Sequence, residues 1–236
     1  MRNALAISGK EVRSYYASPI AYVVTAVFLV ITGYFFAFNI VNMQEATIRG
    51  FLYPGSFVLL LLAPILTMRL LAEEQKMGTL ELLLTAPVRD VEVVLGKYLA
   101  SMIIFVVMLA LTLYYPLILF IFGDPDPGPI VSGYLGLLLV GAAFMAMGLL
   151  ASSLSSNQIV AAVIGFGVLL ILWVISGAAG FLTGPPRDVV NYLALPAHFG
   201  DFAIGVIDTK HIIYYLSLSA LFLFLAVRFL ETRRWR

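Results

Sequence analysis

Uncharged apolar runs of about 20 residues recur along this chain, and each is long enough to cross a bilayer. At 1.5 Å per residue such a run covers roughly 30 Å of hydrocarbon. In that solvent every backbone N–H and C=O must be satisfied within the segment, so the runs are read as α-helices. With 62% hydrophobic and only 11% charged residues, and a mean hydropathy of +1.02, the 236-residue chain lies outside the soluble globular range. The runs follow one another too closely to leave room for a soluble domain. The fold class expected is all-α, a single polytopic membrane domain over 1–236. Its six transmembrane helices fall at about 19–38, 51–69, 98–122, 130–154, 159–182 and 211–230.

The breaks between runs carry ordinary helix punctuation. Residues 2–17 read as an amphipathic helix lying in the membrane interface, with Leu5, Val12 and Tyr16 on one face and Arg2, Lys10 and Arg13 beside it. Ser18–Pro19 supplies an N-cap and a first helical proline. The run that follows is too long for a signal-peptide core and ends in "YFFAFN", so it is expected to stay as a span. Pro64 predicts a kink in the second span, Asp90 an N-cap for the third, and "GDPDPGP" at 123–129 a firm break before the fourth. Small residues in spans four and five (Gly141, Ala142, Ala146, Ala161, Gly165) permit close helix approach, within one subunit or between two, packing inside one bundle being the preferred reading. The aromatic-rich 192–207 segment is expected to dip back into the outer interface or to cap spans five and six.

Six spans put both termini on one side. The N-terminal segment, residues 69–97 and the C-terminal segment hold eleven Lys and Arg, against three (Arg49, Arg187, Lys210) on the other side. The positive-inside rule therefore places both termini and the 69–97 segment in the cytoplasm. The expected location is the inner (plasma) membrane, in contact with membrane lipids.

That 69–97 segment holds the one compact polar stretch, "AEEQKMGTLELLLTAPV" at 72–88. Residues 70–77 read as an extension of the second span, Gly78 as a turn and Thr79 as the cap of a short helix that Pro87 ends. Leu80, Leu83 and Leu84 share one face of that helix, Glu81 lies off it, and Glu73 and Glu74 stand just upstream. One reading is an amphipathic loop packed on its own bundle. The other is a rigid lever able to carry force from a soluble motor into the spans.

Several chemistries lack their residues. No G-x-x-x-x-G-K-[ST] occurs, so ATP would have to be bound by another chain. There is no H-E-x-x-H and no rhomboid-like Gly-x-Ser-Gly, and without cysteine there is no disulfide, thiolate metal site or thiol nucleophile. The span interiors carry no acid or base of the kind ion-coupled transporters keep at mid-membrane. His198 and His211 have no ligand set beside them in sequence and are expected to be structural or interfacial.

The polar stretch resembles the coupling segment of the permease subunit of type-2 ABC exporters, Glu-x-x-x-Gly-Thr-x-Glu-x-Leu-Leu. Its fixed positions are filled here by Glu74, Gly78, Thr79, Glu81, Leu83 and Leu84. The resemblance extends to the N-terminal amphipathic helix, the six spans and the long last external loop. "LPAHFGDFAIGVID" at 195–208 and the ending "LETRRWR" resemble the gliding-motility and copper-maturation branch of that family. The resemblance implies a non-enzymatic transport subunit with no cofactor of its own, ATP and Mg being bound by a cytosolic ABC ATPase. It implies a second permease copy or sister permease, no nucleic-acid partner, and an amphipathic, lipid-like or polymeric cargo. An ABC importer permease fits less well, since Ala72 stands where its motif wants Glu and Leu84-Thr85-Ala86-Pro87 replaces Ile-x-Leu-Pro. A non-transporting anchor or assembly scaffold is the reading from another class.

Overall fold

The computed structural model describes residues 2–43, 45–79, 88–181 and 183–234. Among them the elements are α1 (Arg2–Ala17), α2 (Pro19–Met43), α3 (Arg49–Thr67), α4 (Arg69–Met77), α5 (Asp90–Leu111), α6 (Tyr114–Phe122), α7 (Pro127–Leu154), α8 (Gln158–Ala178), a 3-10 turn (Ala179–Phe181), α9 (Pro185–Leu193), α10 (Leu195–Ala203) and α11 (Thr209–Arg234). The fold is all-α, and six stretches are long and apolar enough to span a membrane: Pro19–Met43, Arg49–Met77, Asp90–Phe122, Pro127–Leu154, Gln158–Ala178 and Thr209–Thr232.

These spans are longer at several ends than the apolar runs that announce them, because helix caps sit outside the apolar window. Ser18 Oγ accepts the Ile20 N–H at 3.4 Å, which starts α2 at Pro19. Asp126 caps α7 through the Gly128 N–H at 2.9 Å, so the helix begins at Pro127, inside the segment read as a break. Asp90 is the first residue of α5 rather than its cap; Arg89 takes the cap position and its N–H donates to Glu92 Oε2.

The third span is also broken, between α5 and α6. Pro116 has no N–H to give the Thr112 carbonyl four residues back. The Tyr134 hydroxyl on α7 supplies that donor at 2.9 Å, and Thr112 Oγ1 lies 3.0 Å from the same oxygen. The break is thereby tied to the neighbouring helix without leaving a polar group bare in the apolar interior.

The bundle is built around α7, which packs on α3, α5, α8, α10 and α11. Of its most apolar window 83% is buried, against 17% for α8, so α7 is the core helix and α8 faces outward. The small residues lie mostly inside this core. A Cβ on Gly141 would meet the Phe105 ring of α5 at 2.2 Å, one on Gly165 would meet Pro64 of α3 at 3.3 Å, and Ala146 and Ala161 are buried. Their close approaches are therefore within one bundle. The 183–208 connection holds two short helices; α10 docks Phe199 and Phe202 into the core over Gly136, while α9 keeps no buried residue.

Candidate functional site

The polar stretch is positioned by a break in the second span. The Thr67 hydroxyl donates back to the Ala63 carbonyl at 2.8 Å, a bond that bends helices, and the chain turns at Met68 into α4. The amides of Leu71 and Ala72 both donate to Ser152 Oγ of α7 at 3.0 Å, and that hydroxyl donates to the Met68 carbonyl at 2.8 Å. One serine thus satisfies three backbone groups freed by the break. Gln75 Nε2 adds a bond to the Ser153 carbonyl at 3.0 Å, where α7 runs out of its own donors. The extension read for residues 70–77 is present, as a separate helix fixed to the end of α7.

The other flank of α4 is held by α1. Arg69 donates to Ser14 Oγ at 2.7 Å, lies 3.6 Å from Glu73 and covers the Tyr15 ring at 5.1 Å. Tyr15 is fully buried and its hydroxyl donates to the Leu66 carbonyl. Burial pushes the Tyr15 phenol well above its ordinary value, against the opposing charge of Arg69, so it remains a donor. On α1 itself, Ala4, Ser8 and Tyr15 are buried while Leu5 and Tyr16 stay exposed, and α1 comes close enough to α5 that a Cβ on Gly96 would meet the Ala4 carbonyl at 2.8 Å.

This close approach closes α1, α4 and α5 over one ammonium group. Lys97, two turns into α5 and 1% exposed, places Nζ 2.8 Å from Glu11 Oε1 of α1 and 2.8 Å from Glu74 Oε1 of α4. Two carboxylates, each about seven-eighths buried, share one buried cation. Beside the triad a cleft of about 490 Å³ opens, lined by Lys10, Ser14, Arg69, Glu73, Met77 and Thr79 among others.

The expected site residues divide here. Glu74 is turned into the bundle as the joint between α4, α1 and α5. Gly78 ends α4 at φ +70°, the left-handed conformation that favours glycine. The Thr79 hydroxyl donates back to the Glu74 carbonyl at 3.4 Å. Glu81, Leu83 and Leu84 lie outside the described residues, as does the helix that Thr79 was expected to cap. Lys97, the partner of Glu74, and Glu11, which shares that cation, were not singled out in the sequence. Their signal was faint: a lysine one residue before an uncharged run, and an acid among the bases of the N-terminal helix.

α4 is thus a short helix braced on one side by α1 and α5 and on the other by the core helix α7. The family described as ABC-2 family transporter protein matches residues 5–192, well over half of the chain. The chain belongs to the ABC-2 transporter family. It is a membrane transport subunit of that family, and the match takes in α1, the α4 brace, the Lys97 triad and the core helix α7. No curated protein matches the chain.

Proposed function

We propose that this ABC-2 chain is the membrane-spanning permease of an ATP-driven exporter, powered by a separate cytosolic ATPase that binds ATP and Mg and engages the segment following α4. The observation that supports the reading is the bracing of α4: Ser152 and Gln75 fix it to α7, and Arg69 and Glu74 fix it to α1 and α5. A force applied beyond Gly78 would reach the core helix through hydrogen bonds and buried ion pairs rather than through a slack loop. Glu74, Gly78, Thr79, Glu81, Leu83 and Leu84 form the coupling segment in this reading, with Glu81 facing the ATPase.

The working unit is two permeases, identical or sister, with two ATPases, and both termini and the α4 end of the bundle are cytoplasmic. One transmembrane domain per chain carries an amphipathic, lipid-like or polymeric cargo between the two bundles, in the manner of the gliding-motility and copper-maturation branch. Affinity purification of the chain from native membranes tests this. An ABC ATPase recovered with it, lost on Glu81→Lys substitution in a well-expressed protein, is the expected result. Recovery of assembly partners without an ATPase would refute the permease reading in favour of a scaffold.

A further inference from the structure

At the end of the bundle opposite α4, two buried histidines face each other. His198 of α10 and His211 in the first turn of α11 stand Nδ1 to Nδ1 at 2.8 Å. His198 Nε2 lies 2.8 Å from the Tyr192 carbonyl of α9, and His211 Nε2 lies 2.8 Å from Asp201 Oδ2 of α10. Three hydrogen bonds in series therefore join α9, α10 and α11. All four of these residues follow or end the family-matched stretch, Tyr192 being its last residue.

The donors can be counted. A carbonyl oxygen only accepts, so His198 must carry its hydrogen on Nε2. Its Nδ1 is then free to accept from His211 Nδ1–H. That leaves His211 Nε2 facing a carboxylate, which also only accepts. Two neutral imidazoles bring two N–H groups, and three bonds need three. The third proton belongs to the His211–Asp201 pair, as N–H against carboxylate or as carboxyl against ring nitrogen.

We propose that the Asp201–His211–His198–Tyr192 chain is a one-proton latch that fastens the α9–α10 cap to the last span. It closes while the chain holds one proton more than two neutral rings and an ionised Asp201. Loss of that proton sets two lone pairs against each other at the His211–Asp201 contact. A second added proton goes to Asp201, cancelling the charge that faces His211, or to His198, where two N–H groups then point at one another.

The surroundings suit this state. Burial holds His198 below the ordinary histidine value, and the nearby His211 and Lys210 act in the same direction against the Tyr192 carbonyl, which keeps the ring a neutral acceptor. Tyr214 of α11 stacks on His198 at 3.8 Å, with Tyr215 and the Tyr192 ring edge-on. The charged groups around the latch are Asp201, Asp208 and Lys210, with Arg49 of α3 donating to the Ala203 carbonyl at 3.3 Å. Asp201, Asp208 and His211 also have the spacing of a metal cluster. Lys210 Nζ, however, stands 3.0 Å from Asp208 and 3.9 Å from Asp201, so the acids already hold a cation of their own. A proton is what the histidine chain lacks.

The latch does not depend on the transport reading and is tested without an ATPase. The whole chain in lipid nanodiscs is followed by hydrogen–deuterium exchange of amides 192–204 from about pH 5 to 9, corrected for intrinsic exchange. Closing takes up a proton on the alkaline side and releases one on the acid side. Protection should therefore pass through a maximum and fall on each limb by up to about tenfold per pH unit, the slope of one proton. Asp201→Asn replaces the carboxylate by an amide whose N–H can donate to His211 Nε2, so all three bonds form with neutral rings. That variant should lose the alkaline limb and keep the acid limb. A flat wild-type profile, or an unchanged alkaline limb in Asp201→Asn, overturns the proposal. Should that variant fail to fold, ¹⁵N-histidine NMR of the wild type decides. His198 protonated at Nε2, with coupling across Nδ1···Nδ1, supports the latch, and His198 protonated at Nδ1 alone overturns it.

Discussion

Replacing Lys97 by methionine keeps the length and most of the volume of the buried stem but removes the charge that Glu11 and Glu74 share. The two carboxylates, each 2.8 Å from Nζ and about seven-eighths buried, are left within twice that distance of one another. At about 5 Å and an effective dielectric of about 20, their repulsion is about 3 kcal/mol. Removing one partner from a buried ion pair typically costs about 3–5 kcal/mol. For a chain of this size such a loss corresponds to a fall on the order of 10 °C in the apparent unfolding temperature. Thermal unfolding of the solubilised protein, followed by loss of the monodisperse peak in size-exclusion chromatography, reads it directly.

The companion variant carries Glu11→Gln and Glu74→Gln as well as Lys97→Met. Replacing all members of a buried ionic cluster by neutral groups of similar size is often close to neutral. The triple variant should therefore recover most of the stability that the single one loses. A single variant as stable as wild type, or a triple variant no better than the single, would refute the claim that Lys97 clamps two buried carboxylates. If the clamp serves to hold α4 in register, recovery of stability should bring recovery of ATPase association with it.

Ser152→Ala removes one hydroxyl that serves the Leu71 and Ala72 amides and the Met68 carbonyl; it should cost about 1–3 kcal/mol in the same unfolding assay. Gly96→Ala would put a Cβ 2.8 Å from the Ala4 carbonyl and 2.9 Å from Ile7, so α1 should be pushed off α5 at a cost of about 1–3 kcal/mol, with faster proteolysis of the N-terminal helix as the readout. Single cysteines at Lys76 and Asp126 of this cysteine-free chain should be labelled by an impermeant reagent from opposite sides. Labelling of the Lys76 position from outside intact cells would overturn the cytoplasmic assignment of the α4 end.

The spans were legible because an apolar run in hydrocarbon has one backbone solution, and that solution does not depend on neighbours. The extension at 70–77 and the turn at Gly78 were legible for the same local reason. What stayed hidden depends on partners distant in sequence. The α5–α6 break has its cause in the spacing of Thr112 and Pro116, but its tolerance rests on Tyr134, a residue of the next helix. Lys97 reads as the polar edge of a span because the uncharged run starts at Tyr98; its burial requires α1 to fold back from 86 residues away. The histidines gave no local ligand pattern, since Asp201 and His211 come together only when α10 docks on the first turn of α11.

Glu74 shows how this difference changes the meaning of a motif. In the sequence it opens a string of six positions that invite one common role at a protein interface. In the fold its side chain is turned into the bundle, with Oε1 on Lys97 and Oε2 buried and, among the described residues, without a hydrogen-bond partner. A carboxylate held in this way costs desolvation, and the Lys97 ammonium offsets it. The arrangement makes physical sense if the string has two halves with different tasks. Gly78, whose left-handed turn sets where α4 stops, is the natural boundary between them. Before it, Glu74 anchors the helix to α1 and α5. Beyond it, in the proposed reading, Glu81 is the charge that meets the ATPase. Charge reversal at the two glutamates should then fail differently: Glu74→Lys by unfolding the α1–α4–α5 joint, Glu81→Lys by losing the partner from a folded chain. Equal loss of stability in both would show that the string is a single structural unit and not a joint followed by an interface.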